Sequence, residues 1–289
     1  MSGVLHIHFD GDIATNHQVS MRTLGKTLQH LQNSVDRAYL EQKNGRLWKY
    51  AKMRNSYYVD VELLVQEPRE GGYILDFLTS NPVTVKVLDR VNSAIANALQ
   101  ESQNQGLAQA SKVESEISDR IVQIEQGLIS PKSFNDILSN PDPLVVRRYG
   151  DRAISREIDQ VLSLIRSSAS GDSTLELKIT GSQNTQTYSF DKATATRFHN
   201  TVTEKSLGEP VLYKGKLSVM DRHNKSAKIL NVDSSSIANL YFSKMEMFES
   251  ALTYFDKDVE FMFYGSPFIE YGAFDPSAGD IHFLGLYDG

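Results

Sequence analysis

Two histidines and an aspartate alternate along the first apolar run of the chain in the pattern His6-x-His8-x-Asp10, and His17 follows in a polar stretch. The apolar residues between them predict a β-strand, in which alternate side chains share one face. Imidazole nitrogens and carboxylate oxygens bind zinc, manganese or iron. The pattern therefore predicts either a metal centre at His6, His8, Asp10 and His17, as in a metal-dependent hydrolase, or a strand whose polar face meets solvent or a partner.

A second group of residues suited to binding lies in segment 43–58, which holds five basic residues, the only tryptophan, three tyrosines and no acidic residue. Lysine and arginine neutralise phosphates, and aromatic rings stack on unpaired bases. Contact with nucleic acid, contact with an acidic protein and plain solvated surface all remain open. The candidate binding residues are Lys43, Arg46, Trp48, Lys49, Tyr50, Lys52 and Arg54.

Composition and missing motifs exclude several classes of chemistry. The chain of 289 residues has 30 basic and 36 acidic residues, a net charge of −6, and no cysteine. Disulfides, thiolate metal sites and a cysteine nucleophile are therefore excluded. The signatures G-x-G-x-x-G, G-x-S-x-G and H-E-x-x-H are absent. We assign no catalytic residue and expect no cofactor beyond the divalent metal considered above.

The N-terminal part, residues 1–102, reads as a β-α-β-β-α unit. Ser20 is placed to cap a helix that ends near Asn44, and two β-branched and aromatic runs, Tyr57–Val65 and Tyr73–Leu78, predict a hairpin. Asn81-Pro82 predicts the start of a second helix, with asparagine as the cap and proline in the first turn. We expect the two helices to cover one face of a small sheet.

The rest of the chain predicts a helical bridge over residues 103–170 and a β-rich domain over 171–289. The many short strands of the latter favour a small barrel or sandwich, and Gly215 and Gly265 within strand patterns predict bulges or tight bends. The overall fold class is therefore α+β. The numerous aromatic residues between Tyr241 and Tyr287 fit either a filled barrel core or a contact surface of an oligomer.

Signals of location are few. No apolar run approaches the roughly 20 residues of a membrane helix, and the start of the chain lacks the basic and apolar regions of a secretion signal. We expect a cytoplasmic protein that does not bind membranes.

Short motifs at both ends of the chain resemble an uncharacterised family of bacterial proteins. They are Gly11-Asp12-Ile13-Ala14 followed by Asn16-His17, then Tyr213-Lys214-Gly215, Val219-Met220-Asp221-Arg222 and Tyr264-Gly265. The resemblance implies an α/β N-terminal part, a β-rich C-terminal module and no established activity. Families of this kind are suspected of acting in anti-phage defence.

These observations together predict a soluble bacterial accessory or sensor protein that works by binding and assembly rather than catalysis. We expect it to form a homo-oligomer or to bind a protein partner. The first alternative is a nucleic-acid-binding protein that uses segment 43–58. The second is a metal-dependent hydrolase built around the first strand.

Overall fold

The computed structural model describes residues 2–67, 73–104, 113–275 and 279–287. The helices of these ranges are α1 Met21–Asn44, α2 Pro82–Gln103, α3 Val113–Glu125, α4 Phe134–Ser139, α5 Pro143–Arg166, α6 Lys192–Thr203 and α7 Met245–Asp256. The strands are β1 Gly3–Asp10, β2 Leu64–Val65, β3 Tyr73–Thr79, β4 Lys132–Ser133, β5 Thr174–Thr180, β6 Thr185–Phe190, β7 Lys205–Leu207, β8 Val211–Asp221, β9 Ser226–Asn231, β10 Ser236–Tyr241, β11 Phe261–Glu270 and β12 Ile281–Leu286. Short 3-10 helices cover Asp12–His17, Asn55–Asp60 and Ser168–Ser170. The chain thus has the mixed α+β class predicted from its sequence.

The chain forms two compact units. The first comprises Met1–Leu47, Ala51–Gln109 and Gly150–Thr203, and the second comprises Trp48–Tyr50, Ala110–Tyr149 and Glu204–Gly289. This division differs from the predicted one, because residues 150–203 belong to the first unit rather than to a bridge and a C-terminal domain. The reason is a long-range pairing that local patterns do not reveal: β5 and β6 extend the N-terminal sheet.

The first unit is built on a five-stranded antiparallel sheet in the order β2-β3-β1-β5-β6. Strand β1 is central, and its alternation places Leu5, Ile7 and Phe9 on a fully buried face. The helix α2 packs against β1 and β5, and it also contacts α1 and α6. One face of the sheet is therefore apolar and covered by helices, as expected for a two-layer α+β unit.

The predicted helix starts are confirmed by their caps. The Ser20 side chain accepts a hydrogen bond from the Thr23 N–H, and the Asn81 side chain accepts one from the Val83 N–H, with Pro82 in the first turn. These contacts satisfy amide groups that a helix leaves unpaired at its N-terminus.

The predicted strand over Tyr57–Val65 is wrong in its first half, because Asn55–Asp60 is a 3-10 helix and only Leu64–Val65 pairs with β3. Tertiary contacts decide this segment: Asn81 Nδ2 donates to the Val59 carbonyl at 3.1 Å, and Thr84 Oγ1 donates to the Asp60 carbonyl at 2.6 Å. The backbone groups that a strand would pair are used by the start of α2. The turn of the predicted hairpin contains residues 68–72, which lie outside the described residues.

The second unit contains a closed five-stranded barrel in the order β8-β9-β10-β12-β11, with β11 pairing back to β8. All neighbours are antiparallel except β10 and β12, and α7 lies between β10 and β11 in the chain. This is the connectivity of an OB-fold, a five-stranded Greek-key barrel. The prediction of a small barrel is confirmed.

Gly215 allows β8 to close the barrel. It pairs with Phe261 on one side and Asn231 on the other, and a Cβ atom there would lie 2.5 Å from Ile229 Cδ1. Register shifts follow between Leu217 and Val219, and between Tyr264 and Gly265. The irregularity predicted from the sequence is confirmed at Gly265. In β8 the irregularity lies after Leu217, whereas Gly215 itself pairs in regular register with both neighbouring strands. A strand that curves around a small barrel must bend at such points.

Among the helices that the structure describes, none combines the length and the apolar character needed to cross a bilayer.

Candidate functional site

The outer face of β8, β9 and β10 carries exposed aliphatic side chains in register. Leu230 on β9 pairs with Ile237 on β10 and with Lys216 on β8. Leu230 and Ile237 are 39% and 46% exposed, and Val219, in the next row, is 49% exposed. We call the side chains Lys216, Val219, Lys228, Leu230 and Ile237 the Leu230 face. Cross-strand neighbours on one face lie about 5 Å apart, so these residues form a single surface.

Alternation along the strands determines this face. The neighbours Ile229 and Ala238 point into the barrel core, with Leu240 on the same side. In a strand, the side chains between such core residues must point outward. The Leu230 face was not predicted from the sequence, because its apolar residues are next to core residues that are equally apolar. Only the strict alternation of inward and outward side chains along each strand could have distinguished them.

Lysines at the Leu230 face differ in their partners. Lys216 Nζ lies 2.9 Å from Asp258 Oδ2, and on the same strand Lys214 Nζ lies 2.7 Å from Glu260 Oε2. Lys228 is exposed and makes no ion pair with any of the described residues. It pairs in register with Val219 and Asn239, so an unneutralised ammonium group lies beside the aliphatic row.

The residues Trp48–Tyr50, here called the strap, lie against the same barrel. The Lys49 N–H donates to Asp275 Oδ2 at 2.7 Å, and Lys49 Nζ donates to Asp280 Oδ1 at 3.0 Å. Tyr50 donates its hydroxyl to the Ile237 carbonyl at 3.1 Å, while its ring remains 51% exposed. The strap therefore brings an aromatic ring to the edge of the Leu230 face.

Acidic groups that hold the strap are fixed by the barrel itself. Asp280 Oδ1 also accepts a hydrogen bond from Asn239 Nδ2 at 3.1 Å, and Asp275 is only 4% exposed. Burial and the charge of Asp280 raise the pKa of Tyr241 above its ordinary value. The candidate residues Lys49 and Tyr50 of segment 43–58 thus have partners on the barrel.

The other candidates of segment 43–58 differ in their surroundings. Lys43 Nζ lies 4.0 Å from the centre of the Tyr57 ring and donates to the Tyr39 hydroxyl at 2.8 Å, and the Arg54 guanidinium lies 5.8 Å from the same ring centre. Such cation–π contacts leave the charge in place but fix its position. The remaining candidates are the half-buried Trp48 and the exposed Arg46 and Lys52, which pair with none of the described residues.

The polar residues of β1 lie on one face of the strand, as predicted, but their side chains contact different partners. His6 Nδ1 lies 2.7 Å from Asp76 Oδ1, and His6 Nε2 lies 3.9 Å from Glu176 Oε1. Asp10 accepts a hydrogen bond from the Gly11 N–H, and His17 is exposed in the 3-10 helix that follows. The contact of His6 with Asp76 cannot be predicted from local sequence, because it depends on the register of β1 and β3.

The geometry gives the predicted metal site no support. Within the parts of the chain described, including His6, His8, Asp10 and His17, no group of three or more His, Asp and Glu side chains is arranged to hold a metal ion. The metal site at these residues stays a prediction from the sequence.

The N-terminal motif that carries the family resemblance has a clear structural role. Gly11 has φ 81°, and a Cβ atom there would lie 2.5 Å from the Asp172 carbonyl oxygen. Asp12 Oδ2 accepts a hydrogen bond from the Asp172 N–H, and the Ile13 N–H donates to Ser173 Oγ. These residues attach the first 3-10 helix to the turn before β5.

Aromatic residues of the C-terminal strands mainly fill the barrel. Phe261, Phe263 and Phe283 are at most 5% exposed and stack on one another, with ring centres 5.3 and 5.7 Å apart. Tyr287 is 38% exposed. Of the two predictions for these rings, the filled core is confirmed for these three phenylalanines, and the contact surface of an oligomer stays a prediction.

No protein-family model matches this chain, and no curated protein matches it. The chemistry of its described surfaces is therefore the basis for assigning a function.

Proposed function

We propose that the protein is a non-catalytic binding protein that holds a protein partner on the Leu230 face of its barrel. The observation that carries the proposal is the cross-strand row of Lys216, Leu230 and Ile237 with the unpaired Lys228 beside it. The second and third strands of an OB-fold, here β9 and β10, form its usual binding surface. The fold alone does not identify the ligand.

The side chains of the face favour a protein over a small molecule. Leu230, Ile237 and Val219 form an open surface, which suits the flat apolar centre of a protein interface. Lys228 adds a positive charge that a carboxylate of the partner can pair with. We therefore expect a partner that presents aliphatic groups with an acidic residue next to them.

Site-specific photo-crosslinking in producing cells tests this proposal. A photoreactive residue at Ile237 should give one discrete adduct, and the same residue at Val122, 44% exposed on α3, should not. The partner identified from the adduct, once purified, should bind the wild-type protein and lose affinity by about a hundredfold or more for Leu230→Glu/Ile237→Glu, because a carboxylate would be buried without a partner. Equal binding by wild type and the double variant would refute the proposal.

A second candidate function is the binding of single-stranded nucleic acid, favoured by the exposed Tyr50 ring beside an OB-fold binding surface. Exposed aromatic rings of such barrels stack on bases, and lysines neutralise phosphates. Affinity for single-stranded DNA and RNA should then fall steeply with salt and should weaken in Tyr50→Ala and Lys228→Ala. The predicted involvement of segment 43–58 adds Arg46→Ala/Lys52→Ala to this series. A lack of binding at low salt removes this candidate.

The biological role we propose is accessory, in an assembly such as the anti-phage systems that the family resemblance implies. Deletion of the gene should then remove phage protection from a host that has it, and Leu230→Glu/Ile237→Glu should do the same while leaving the protein folded. Protection that survives both changes would contradict this role.

A further inference from the structure

An apolar groove of about 340 Å³ lies in the first unit, between α1 and the strands β1 and β3. The apolar side chains that line it are Leu5, Leu28, Leu31, Leu63 and Phe77. Leu5 pairs with Phe77 across the two strands, and these residues are 1% and 9% exposed, so they form the deep end of the groove. Leu28 is 37% exposed and lies at its mouth. We call this recess the Leu5 groove.

Polar groups in the Leu5 groove are amides. Gln29 and Gln32 complete its lining, and none of the described residues that line it carries a charge. Gln32 Nε2 donates to Asp36 Oδ1 at 2.8 Å, which holds the amide and leaves its carbonyl oxygen as a hydrogen-bond acceptor. Gln29 makes no hydrogen bond with any described residue. The groove thus combines apolar walls with amide groups that can bind one polar group of a ligand.

The size and shape of the Leu5 groove suit a small molecule. Protein interiors contain few voids larger than a water molecule, so an apolar recess of this volume is an exception. Concave apolar pockets of about 300–1,000 Å³ with a few polar groups are the usual sites for small ligands. In another protein, an apolar cavity of about 150 Å³ takes benzene. The Leu5 groove has room for a molecule about twice as large.

We propose that the Leu5 groove binds a small, uncharged, apolar molecule of about two or three rings, or a chain of equal volume, that carries one hydrogen-bond donor. The body of the ligand covers Leu5, Leu31 and Phe77, and removal of this apolar surface from water drives binding. The donor of the ligand binds the carbonyl oxygen of Gln32. This site is separate from the Leu230 face, whose open surface suits a protein.

Electrostatics select against an ionised ligand. A charged group in the Leu5 groove would lose its water and would find no counter-charge among the lining residues described above. The Asp36 carboxylate, which Gln32 contacts, is negative and repels an anion further. An uncharged ligand should therefore bind more tightly than an anion with the same apolar body.

Two matched dyes test this proposal. N-phenyl-1-naphthylamine is uncharged, carries one N–H donor and fluoresces more strongly when it leaves water. We expect one molecule to bind each wild-type chain at micromolar concentration. Anilinonaphthalene sulfonate has the same rings with an added anion, and it should bind the groove at least about tenfold more weakly.

Methyl NMR of wild-type protein with labelled leucines locates the dye without any substitution. The aromatic rings of the dye shift nearby methyl resonances, so those of Leu5, Leu28, Leu31 and Leu63 should move during titration with N-phenyl-1-naphthylamine. The resonances of Leu230 should stay in place, which separates this site from the proposed partner surface of the barrel.

Leu28→Trp is the variant that closes the groove. The larger side chain takes up space at the mouth, so the dissociation constant for N-phenyl-1-naphthylamine should rise about tenfold or more. Leu28 is partly exposed, and circular dichroism of the variant should be unchanged. Val122→Trp, at a position 44% exposed on α3 in the second unit, is the matched control and should bind the dye as the wild type does.

Three results would overturn the proposal. The first is a lack of N-phenyl-1-naphthylamine binding by wild-type protein at about 100 μM, where even a weak site would be occupied. The second is binding that moves none of the groove methyl resonances and is unchanged in Leu28→Trp. The third is an equal affinity of the groove for the sulfonate, which would contradict an uncharged ligand.

Discussion

Arg90 binds the carboxylate of Glu41 through two parallel hydrogen bonds, from Nε to Oε2 at 2.8 Å and from Nη2 to Oε1 at 3.0 Å. Its third nitrogen, Nη1, donates to Asp151 Oδ1 at 2.6 Å. The three residues come from α2, α1 and α5 and are 5%, 7% and 4% exposed. Buried charges are stable only when they are paired. This ion triad therefore links the three helices to one another.

Arg90→Met tests the triad. We expect it to lower the free energy of unfolding by about 3–5 kcal/mol, because two buried carboxylates lose their counter-charge. Urea denaturation followed by circular dichroism measures the loss. Arg46→Met, at an exposed position, is the control and should change stability by no more than about 0.5 kcal/mol. A loss below about 1 kcal/mol for Arg90→Met would mean that the carboxylates find other partners.

Gly215→Ala should destabilise the barrel. The new Cβ atom would lie 2.5 Å from Ile229 Cδ1, and overpacking of this kind costs about 1–3 kcal/mol. The double variant Gly215→Ala/Ile229→Ala should lose less stability than the sum of the two single variants, because alanine lacks both Cδ1 and Cγ1, the two atoms that lie 2.5 and 2.7 Å from the added Cβ. Gly285→Ala, in β12 of the same barrel with no atom within 4 Å of the added Cβ, is the matched control. Equal effects at the two glycines would contradict the role of Gly215 in barrel closure.

Stability should fall in acid because of His282. The residue is 4% exposed, and burial lowers its pKa to about 4, against 6.5 for an unperturbed histidine. Between these two pKa values the unfolded chain takes up a proton that the folded chain does not, so the contribution to stability is complete above pH 6.5 and decreases as the pH falls toward 4. From pH 7.5 to pH 5 the loss from this group is about 2 kcal/mol.

Denaturant titrations of His282→Gln at the same two pH values check this assignment. The variant should lose about 2 kcal/mol less than the wild type between them. His223→Gln, at an exposed residue in the turn between β8 and β9, should keep the wild-type dependence. If His282→Gln keeps it as well, the acid sensitivity has another source.

Lys49→Ala should loosen the strap without unfolding the protein. The ion pair of Lys49 and Asp280 is about one-third exposed on both sides, and pairs of this kind contribute about 1 kcal/mol or less. Trp48, the only tryptophan, is next to Lys49 and reports the change. Its emission should shift to longer wavelength and become more accessible to acrylamide. Lys52→Ala should leave both unchanged, and an unaltered Trp48 signal in Lys49→Ala would show that the Asp275 contact alone holds the strap.

Local signals in the sequence predicted the helices best. The Ser20 cap, the Asn81-Pro82 pair and the apolar periodicity act within a few residues, so α1 and α2 begin where predicted. Gly215 and Gly265 predicted bulges or tight bends, because glycine weakens a strand interior and occurs there mainly at such points.

Features that depend on distant pairing could not be predicted. Strand β5 joins the first sheet because Leu5 pairs with Ile179, and no local pattern encodes that partner. Strand β11 continues through Gly265 and Pro267 because it pairs with β8 in its first half and with β7 in its second. In the same way, the contact of Lys49 with Asp280 joins residues 231 positions apart. Composition identified Lys49 as a binding residue, but only the fold shows that its charge is already paired.

The antiparallel pairing of β1 with β5 has a consequence during synthesis. When β1 has been translated, the strand that covers its second edge, Thr174–Thr180, is still more than 160 residues away along the chain. Until then one side of the central strand is open to incorrect pairing, as is any unpaired strand edge. The barrel strands β8 to β12 are translated within one contiguous stretch of about 75 residues. Truncations that end before residue 174 should therefore aggregate, whereas those that remove only the barrel leave every strand of the first sheet present.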